Sequence, residues 1–265
     1  MTETTWPSSI RGINNLPEGE KLAIYRTLLP EWLFTDYHID RETLTYEGKS
    51  VIHFRCPQGS RALEITVKRA AADRDPMLYL NMADTFNNQL LVLLVIINDP
   101  DAPRFNVDID AEGNPTHLGT SSRNLAAEEA AMEVGLAPGQ VRAGLRVFKR
   151  AVPIFEQFVE RMGHDMFFIE PLAYHNAIVF ERYGFNYVRG HKDMVEIDRE
   201  FQPGGALQRK LTPENPFRQP YFATSVRGRS WAIHDGILGH PFTGFQMYKR
   251  IGIDAGVNTL SNATW

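Results

Sequence analysis

"PLAYHNAIVFERYGFNYVRG", Pro171–Gly190, is the stretch on which the carboxyl half of this chain is read. Its centre, "FERYGF", has the form of a helix that stops at Gly184 and turns at once into a strand. "YHNAIVFERYG" predicts a short helix and "FNYVRG" a strand. The preceding "DMFFIEPL" is a short apolar run that reads as one more strand. From Arg142 to Met162, Leu145, Phe148, Val152, Phe155 and Val159 recur at three- and four-residue steps, which predicts a helix with one apolar stripe. Pro153 lacks an amide donor and predicts a kink or split near Lys149 to Val152. Gly163 is a stop signal, and Arg161 in the last turn suits the negative end of the helix dipole. After the opening stretch, "KDMVEIDREF" predicts another strand.

The first forty-five residues read as a helical segment, with Pro17 and early acids at a helix start in "PEGEKLAIYRTLLPEWLF" and a stop near Pro30. "SVIHFRC" and "RALEITVK" are two strands joined by the turn-rich "PQGS", an antiparallel hairpin, and "MLYLNM" is a third. "LLVLLVII", Leu90–Ile97, is apolar throughout, which suggests a strand covered on both faces. Across the turn residues of Asn98–Arg104, "FNVDID" is expected to pair with it antiparallel. "SRNLAAEEAAMEV" has helical composition, with Ser121 or Ser122 as cap. After Gly204–Gly205 the sequence turns rich in Gly and aromatics without a sustained period. The fold class expected is α+β: a mixed, mostly antiparallel sheet flanked by helices. Residues 1–45 form a helical segment, 46–204 the core, and 205–265 an extension over the core or a partner subunit.

A chain of 265 residues with 43% apolar and 23% charged residues has ordinary globular composition. The net charge of −4 argues against sequence-independent binding to nucleic acid or anionic membranes, although "RVFKR" gathers Arg146, Lys149 and Arg150. The single cysteine, Cys56, excludes an intrachain disulfide framework and fits a reducing, cytoplasmic compartment. It ends a strand and has no base paired with it in the sequence, so it reads as a packing residue. The start of the chain has no basic-then-apolar signal pattern. Eight aliphatic residues cannot cross a bilayer, which takes about twenty.

The order helix, strand, short helix ending in "YGF" and strand, over about Arg142–Val188, resembles the carboxyl half of the GCN5-related N-acetyltransferase (GNAT) fold. In that family a strand ends in a loop whose pattern runs V-x-P, then R, then G-x-G, and the loop amides bind the pyrophosphate of acetyl-CoA where a helix starts. "VGLAPGQVRAGLR" has Pro138 and, six residues on, Gly144 in that spacing, with a helix expected from Gly144 to Gly163. The later pattern N-x-x-A-x-x-L-Y-E-x-x-G-F meets "AYHNAIVFERYGF" at Glu181, Gly184 and Phe185. The chain departs from the family at positions that matter. The family's loop Arg/Gln falls at Val141, with Arg142 one place late; its second glycine falls at Arg146, its asparagine at Ala173, and its thiolate-protonating tyrosine at Phe180.

The resemblance implies a GNAT-like core that binds acetyl-CoA or another acyl-CoA at Gln140, Val141, Arg142, Ala143, Gly144, Leu145 and Arg146. It implies direct acyl transfer to a small-molecule amine, and a strand before Pro138 where the composition prefers helix. Chemistry of this kind needs a general base for the amine and a general acid for the thiolate. With Phe180 unable to donate, Tyr183, Tyr174 or His175 is the expected acid. Glu133 and Glu170, near the ends of strands facing the splayed sheet, are the expected bases.

Independently of the resemblance, a loop entering a helix leaves amides unpaired at the positive end of the dipole, where phosphate is stabilised. "HLGTSSRN", His117–Asn124, is a second loop of that kind. A catalytically lapsed GNAT-like binding or structural protein is the alternative, favoured by Phe180. A metal-dependent enzyme built on His234, Asp235 and His240 is a third reading. Neither that spacing nor Glu160 with His164 matches H-E-x-x-H, and no metal is expected. No G-x-S-x-G elbow or phosphate-binding G-x-x-x-x-G-K-[ST] loop is present. The expected partners exclude nucleic acid and membrane; the aromatic "FTGFQMYKRIG" points to a homodimer.

Overall fold

Residues that alternate between apolar and polar make strands with one wet and one dry face, and such strands carry this chain's larger sheet. The computed structural model describes residues 6–116 and 122–265. Its helices are α1 (Ile10–Asn14), α2 (Glu18–Arg26), α3 (Glu31–Thr35), α4 (Leu125–Glu133), α5 (Phe148–Arg161), α6 (Tyr174–Arg182), α7 (His191–Phe201) and α8 (Val226–His234). Its strands are β1 (Thr45–Tyr46), β2 (Lys49–Ser50), β3 (Ile52–Arg55), β4 (Ala62–Val67), β5 (Leu78–Asp84), β6 (Leu90–Ile97), β7 (Met166–Ile169), β8 (Asn186–Arg189) and β9 (Gln246–Arg250). Short 3-10 turns lie between α7 and α8. The fold is mixed α+β, with a mostly antiparallel open sheet flanked by helices. No helix among the described residues is long and apolar enough to cross a membrane.

The chain divides into two compact units. The first takes the residues up to Asp101, Gly144–Ile169 and Lys249–Ile253. In it β3, β4, β5 and β6 form an antiparallel meander, and β7 joins β6 in parallel after the α5 crossover. On β4 and β5, Leu63, Ile65, Val67, Leu78, Leu80 and Met82 are buried, while Glu64, Thr66, Tyr79 and Asn81 alternate with them and stay half exposed. The helices dock by aromatic and polar contacts. Phe158 of α5 meets Tyr25 of α2, and Phe155 meets Phe167 of β7 edge-on at 4.7 Å. The Asp84 carboxylate accepts the Ile10 and Arg11 amides at 2.7 and 2.8 Å, a negative charge at the positive end of α1.

The second unit comprises Ala102–Ala143, Glu170–Tyr248 and Asp254–Trp265. Here β8 pairs antiparallel with the first part of β9. The centre is α8, seven of whose nine residues are buried, Trp231 and Arg229 among them. Trp231 packs with Phe217 and Phe222, and its indole N–H donates to the Leu136 carbonyl at 2.8 Å.

The "PQGS" hairpin, the strands at 166–169 and 186–189, the short helix at 174–182 and the stop at Gly163 form as their residues dictate. Gly163 adopts φ +82, and the His164 amide reaches back to the Val159 carbonyl at 3.2 Å, closing the helix.

Five expectations are corrected. "KDMVEIDREF" is helix, because Met194, Ile197, Asp198 and Phe201 bury one stripe at helical spacing. "FNVDID" forms no strand; Val107 plugs into Ala131 and Leu136 as part of a loop. Helix α5 starts at Phe148, not Arg142, and runs unbroken through Pro153. The cap of α4 is Asn124, whose side chain accepts the Ala127 amide, while Ser122 donates to Asp110; Ser121 and the 117–121 part of the second candidate loop lie outside the described residues. Strand β6 is not covered on both faces: Leu93 is 41% exposed and the residues after it are half exposed.

Gly190 has φ +95, and a Cβ there would lie 2.3 Å from the ring of Phe245, itself stacked on Phe242 at 4.0 Å. Gly204 has a similar φ, +84, with open space around it. Gly190→Ala should therefore lose more stability than Gly204→Ala in urea titrations. Each carries the left-handed penalty of roughly 1 kcal/mol and only the first a clash; equal losses would contradict the packing described.

Candidate functional site

The distinctive place in the first unit is the end of β6. Between β5 and β6 the register steps from Asn81↔Leu94 to Met82↔Val92, so Leu93 is an extra residue on β6. Such a bulge bends its strand and increases its twist. The pairs between β6 and β7 are Leu91↔Phe168 and Val92↔Ile169, the last of them immediately before the bulge. Strand β6 continues to Ile97, past the end of β7. An apolar strand thus leaves its parallel neighbour at the position where it is bent.

Gly144 lies against that end. A Cβ there would come within 3.1 Å of the Ile97 carbonyl oxygen, a contact the backbone of both must yield to admit. The amides of Gly144, Leu145, Arg146 and Val147 find no acceptor among the described residues. Arg146 is exposed and holds φ +58, a left-handed conformation that L side chains rarely adopt. The resemblance places a glycine at this position, and the backbone geometry is the one a glycine supplies. Helix α5 then begins with Val147 as its cap, no side-chain cap bond and no acid in its first turn. Lys149 and Arg150 occupy that turn instead, against the sign the dipole favours. The Arg150 guanidinium reaches Asp36 only at 3.9 Å, both groups being more than half exposed. Unpaired donors and cations meet at one helix start, which is an environment for an anion.

The expected ligand-binding loop is divided at Ala143/Gly144 between the two units. Its second-unit part is engaged internally. Gln140 closes a turn: its side-chain oxygen accepts the Ala137 amide at 2.7 Å, and its own amide donates to the Ala137 carbonyl at 3.2 Å. Val141 packs on Val107, Ala131 and Leu136, and its carbonyl accepts the Phe105 amide. Arg142 donates to the Ala102 carbonyl. The donors of the expected loop therefore begin later than the motif places them.

The expected catalytic residues separate by environment. Residues 125–133 form helix α4, so Glu133 is an exposed residue at a helix end and not at a strand end. Glu170 is exposed and follows β7 directly. Phe180 is buried 5.2 Å from the ring of Phe185. Tyr174 is buried, and burial pushes its hydroxyl up to about 12. His175 is buried with Nδ1 2.8 Å from the Ser230 hydroxyl; burial, then the charges of His234 and Arg227, push it down to about 3. Tyr183, at the end of α6, is half buried and is the accessible one of the three proton donors considered.

Cys56 is buried, and burial pushes its thiol up, only partly opposed by Lys21. The late histidines are not convergent. His234 Nε2 lies 3.3 Å from Glu128, Asp235 is held by Arg123, Arg218 and Asn215, and exposed His240 faces the Pro241 carbonyl. No group of three or more His, Cys, Asp or Glu able to hold a metal ion occurs among the described residues. The Arg123–Glu128–Asp235 network joins residues up to 112 apart and has no local sequence signal.

Comparison with protein-family models, with curated proteins and with solved structures finds no match in any of the three.

Two outcomes are expected. Unfolded histidine takes its proton near pH 6.5, whereas His175 in the fold does so only near 3, so stability should fall as pH drops below about 6.5. His175→Gln removes this contribution. In urea titrations between pH 7 and 5 the wild type should lose up to about 1.4 kcal/mol per pH unit more than the variant; parallel curves would be inconsistent with a buried neutral imidazole. Arg146→Gly should raise the melting temperature, since relief of the left-handed conformation is worth roughly 1 kcal/mol; a marked drop would contradict that backbone geometry.

Proposed function

We propose that this chain is a divergent GNAT-like N-acyltransferase that uses an acyl-CoA to acylate a small-molecule amine. The observation that carries the reading is the departure of β6 from β7 at the Leu93 bulge, with the unpaired amides of Gly144–Val147 at the start of α5 beside the strand's end. The order of elements adds support: antiparallel strands, a crossover helix to a parallel strand, then a short helix ending in Gly184 and a strand. The 3′- and pyrophosphate charges of the coenzyme suit the amides together with Arg146, Lys149 and Arg150. The thioester then lies along the open edge of β6, where a main-chain donor polarises its carbonyl.

The amine lone pair attacks the carbonyl carbon, the carbon–sulfur bond breaks, the amine gives up a proton and the departing thiolate accepts one. Holding the two reactants together supplies most of the acceleration. Of the acids the resemblance allows, Tyr183 is the accessible one, because Phe180 cannot donate and Tyr174 and His175 are buried; of the two bases, Glu170 directly follows a strand. Glu133 retains no strand-end placement to recommend it. A catalytically lapsed relative that binds the coenzyme without transferring is the second reading, and the burial of Phe180 at the tyrosine position favours it.

Melting with and without acetyl-CoA tests both. At 100 times its dissociation constant the coenzyme should stabilise by roughly 2.7 kcal/mol. Gly144→Val, whose side chain would force the loop off the Ile97 carbonyl, should abolish that shift. Absence of a shift at millimolar acetyl-CoA would remove the acyl-CoA reading. A shift without thiol release across a panel of primary amines would select the lapsed relative.

A further inference from the structure

The second unit holds a buried cation whose donors are only partly used. Arg229 on α8 has a side chain 2% exposed. Its Nε donates to the Ala223 carbonyl at 2.7 Å, and its Nη1 to Asp198 at 2.6 Å and to the Tyr174 hydroxyl at 3.4 Å. Nη2, which carries two further N–H donors, makes no hydrogen bond among the described residues. Asp198 pairs with the guanidinium through one oxygen only, and its other oxygen accepts the amide and hydroxyl of Ser261 at 3.2 and 2.7 Å, so it does not reach Nη2. The face of Phe201 lies 5.2 Å from the guanidinium carbon and adds a further restraint on its orientation.

Arg229 lines a cleft of about 210 Å³. Phe201, Pro220 and Ala223 supply apolar wall, while Gln208 and Asn262 bring side-chain amides with no hydrogen bond to the described residues. This volume equals roughly seven water molecules at ~30 Å³ each, which limits an organic ligand to a small one. A guanidinium with two unused donors among the lining of a partly apolar cleft calls for an acceptor oxygen, best a charged one, on a short carbon body.

We propose that this cleft is a binding site for a small monocarboxylate, its carboxylate on Arg229 Nη2 and its carbon body against Phe201 and Ala223. The site lies wholly within the second unit and does not depend on the acyl-transfer reading. The amides of Gln208 and Asn262 complete the polar rim.

The test is melting of the full chain at pH 7 with butyrate, butyramide and butylamine, at ionic strength held constant with sodium chloride. Butyrate should give a saturable rise of about 3–5 °C at ten times its half-saturating concentration, butyramide less, and butylamine none. Ala223→Leu fills the cleft and should abolish the butyrate response. Asn262→Leu, at an exposed rim position where folding is not at risk, should weaken it. Amide chemical-shift changes with butyrate should centre on Ala223, Thr224 and Asn262. An equal response to butylamine, an unsaturable response, or a full response in both variants would overturn the proposal.

Discussion

An extra residue at Leu93 bends β6 where its pairing with β7 ends, and this bend sets the shape of the candidate site in the first unit. Upstream of the bulge β6 is paired on both sides, with β5 and with β7, and Leu90 and Val92 are buried. Downstream it keeps β5 alone, and its aliphatic residues are left half exposed. Sheet formation ordinarily hides a strand of such composition. Leaving it open is unfavourable by itself, and the buried face of β4 and β5, with α2 and α5 docked through Tyr25, Phe155 and Phe158, offsets that loss. The unpaired amides at 144–147 follow from the same geometry, since the chain meets the end of β6 at Gly144 before α5 begins.

The second unit is held together by a different means. Its last residues lack apolar periodicity, yet they are ordered by buried carboxylates that gather donors distant in sequence. Glu181 accepts from the Tyr187 hydroxyl and from the amide and hydroxyl of Thr259, while Asp198 takes Arg229 and Ser261. Buried charges of this kind add little net stability when paired, but losing one partner leaves the other uncompensated. They act as registry devices that tie the C-terminal segment to α6, α7 and α8. Trp265 extends the tie by lying under the guanidinium groups of Arg182 and Arg227. The Arg123–Glu128–Asp235–Arg218 network does the same around the start of α4, where burial raises and paired donors more than offset, so that Glu128 and Asp235 stay below the usual carboxylate range.

How far the molecule was legible depended on whether a residue's burial was local or distant in origin. Gly163 and Gly184 end helices because their left-handed geometry is a property of the residue, and "PQGS" turns for a similar reason. "KDMVEIDREF" is ambiguous by itself: Val195 and Ile197 suggest alternation, and only the stripe Met194–Ile197–Phe201 that packing selects makes it a helix. Val107 in "FNVDID" alternates as a strand residue would, but the surface available to it is a loop pocket beside Ala131 and Leu136. At the candidate site the approach to α5 and the cations at Arg146, Lys149 and Arg150 could be read from sequence. The starting point of the helix could not, because nothing local distinguishes Leu145 from Phe148 as the first residue of the stripe.

What the sequence determined unaided was the α+β class, the positions of most turns and strands, the sign of the charge around residue 146 and the helix stops at Gly163 and Gly184. These are consequences of periodicity and of backbone freedom, which act over a few residues. Tertiary structure alone decided that Leu93 bulges, that β6 outruns β7, and that Arg229 lies buried beside a cleft. Each of these depends on which partners compete for a strand edge or a buried charge, and those partners come from far along the chain.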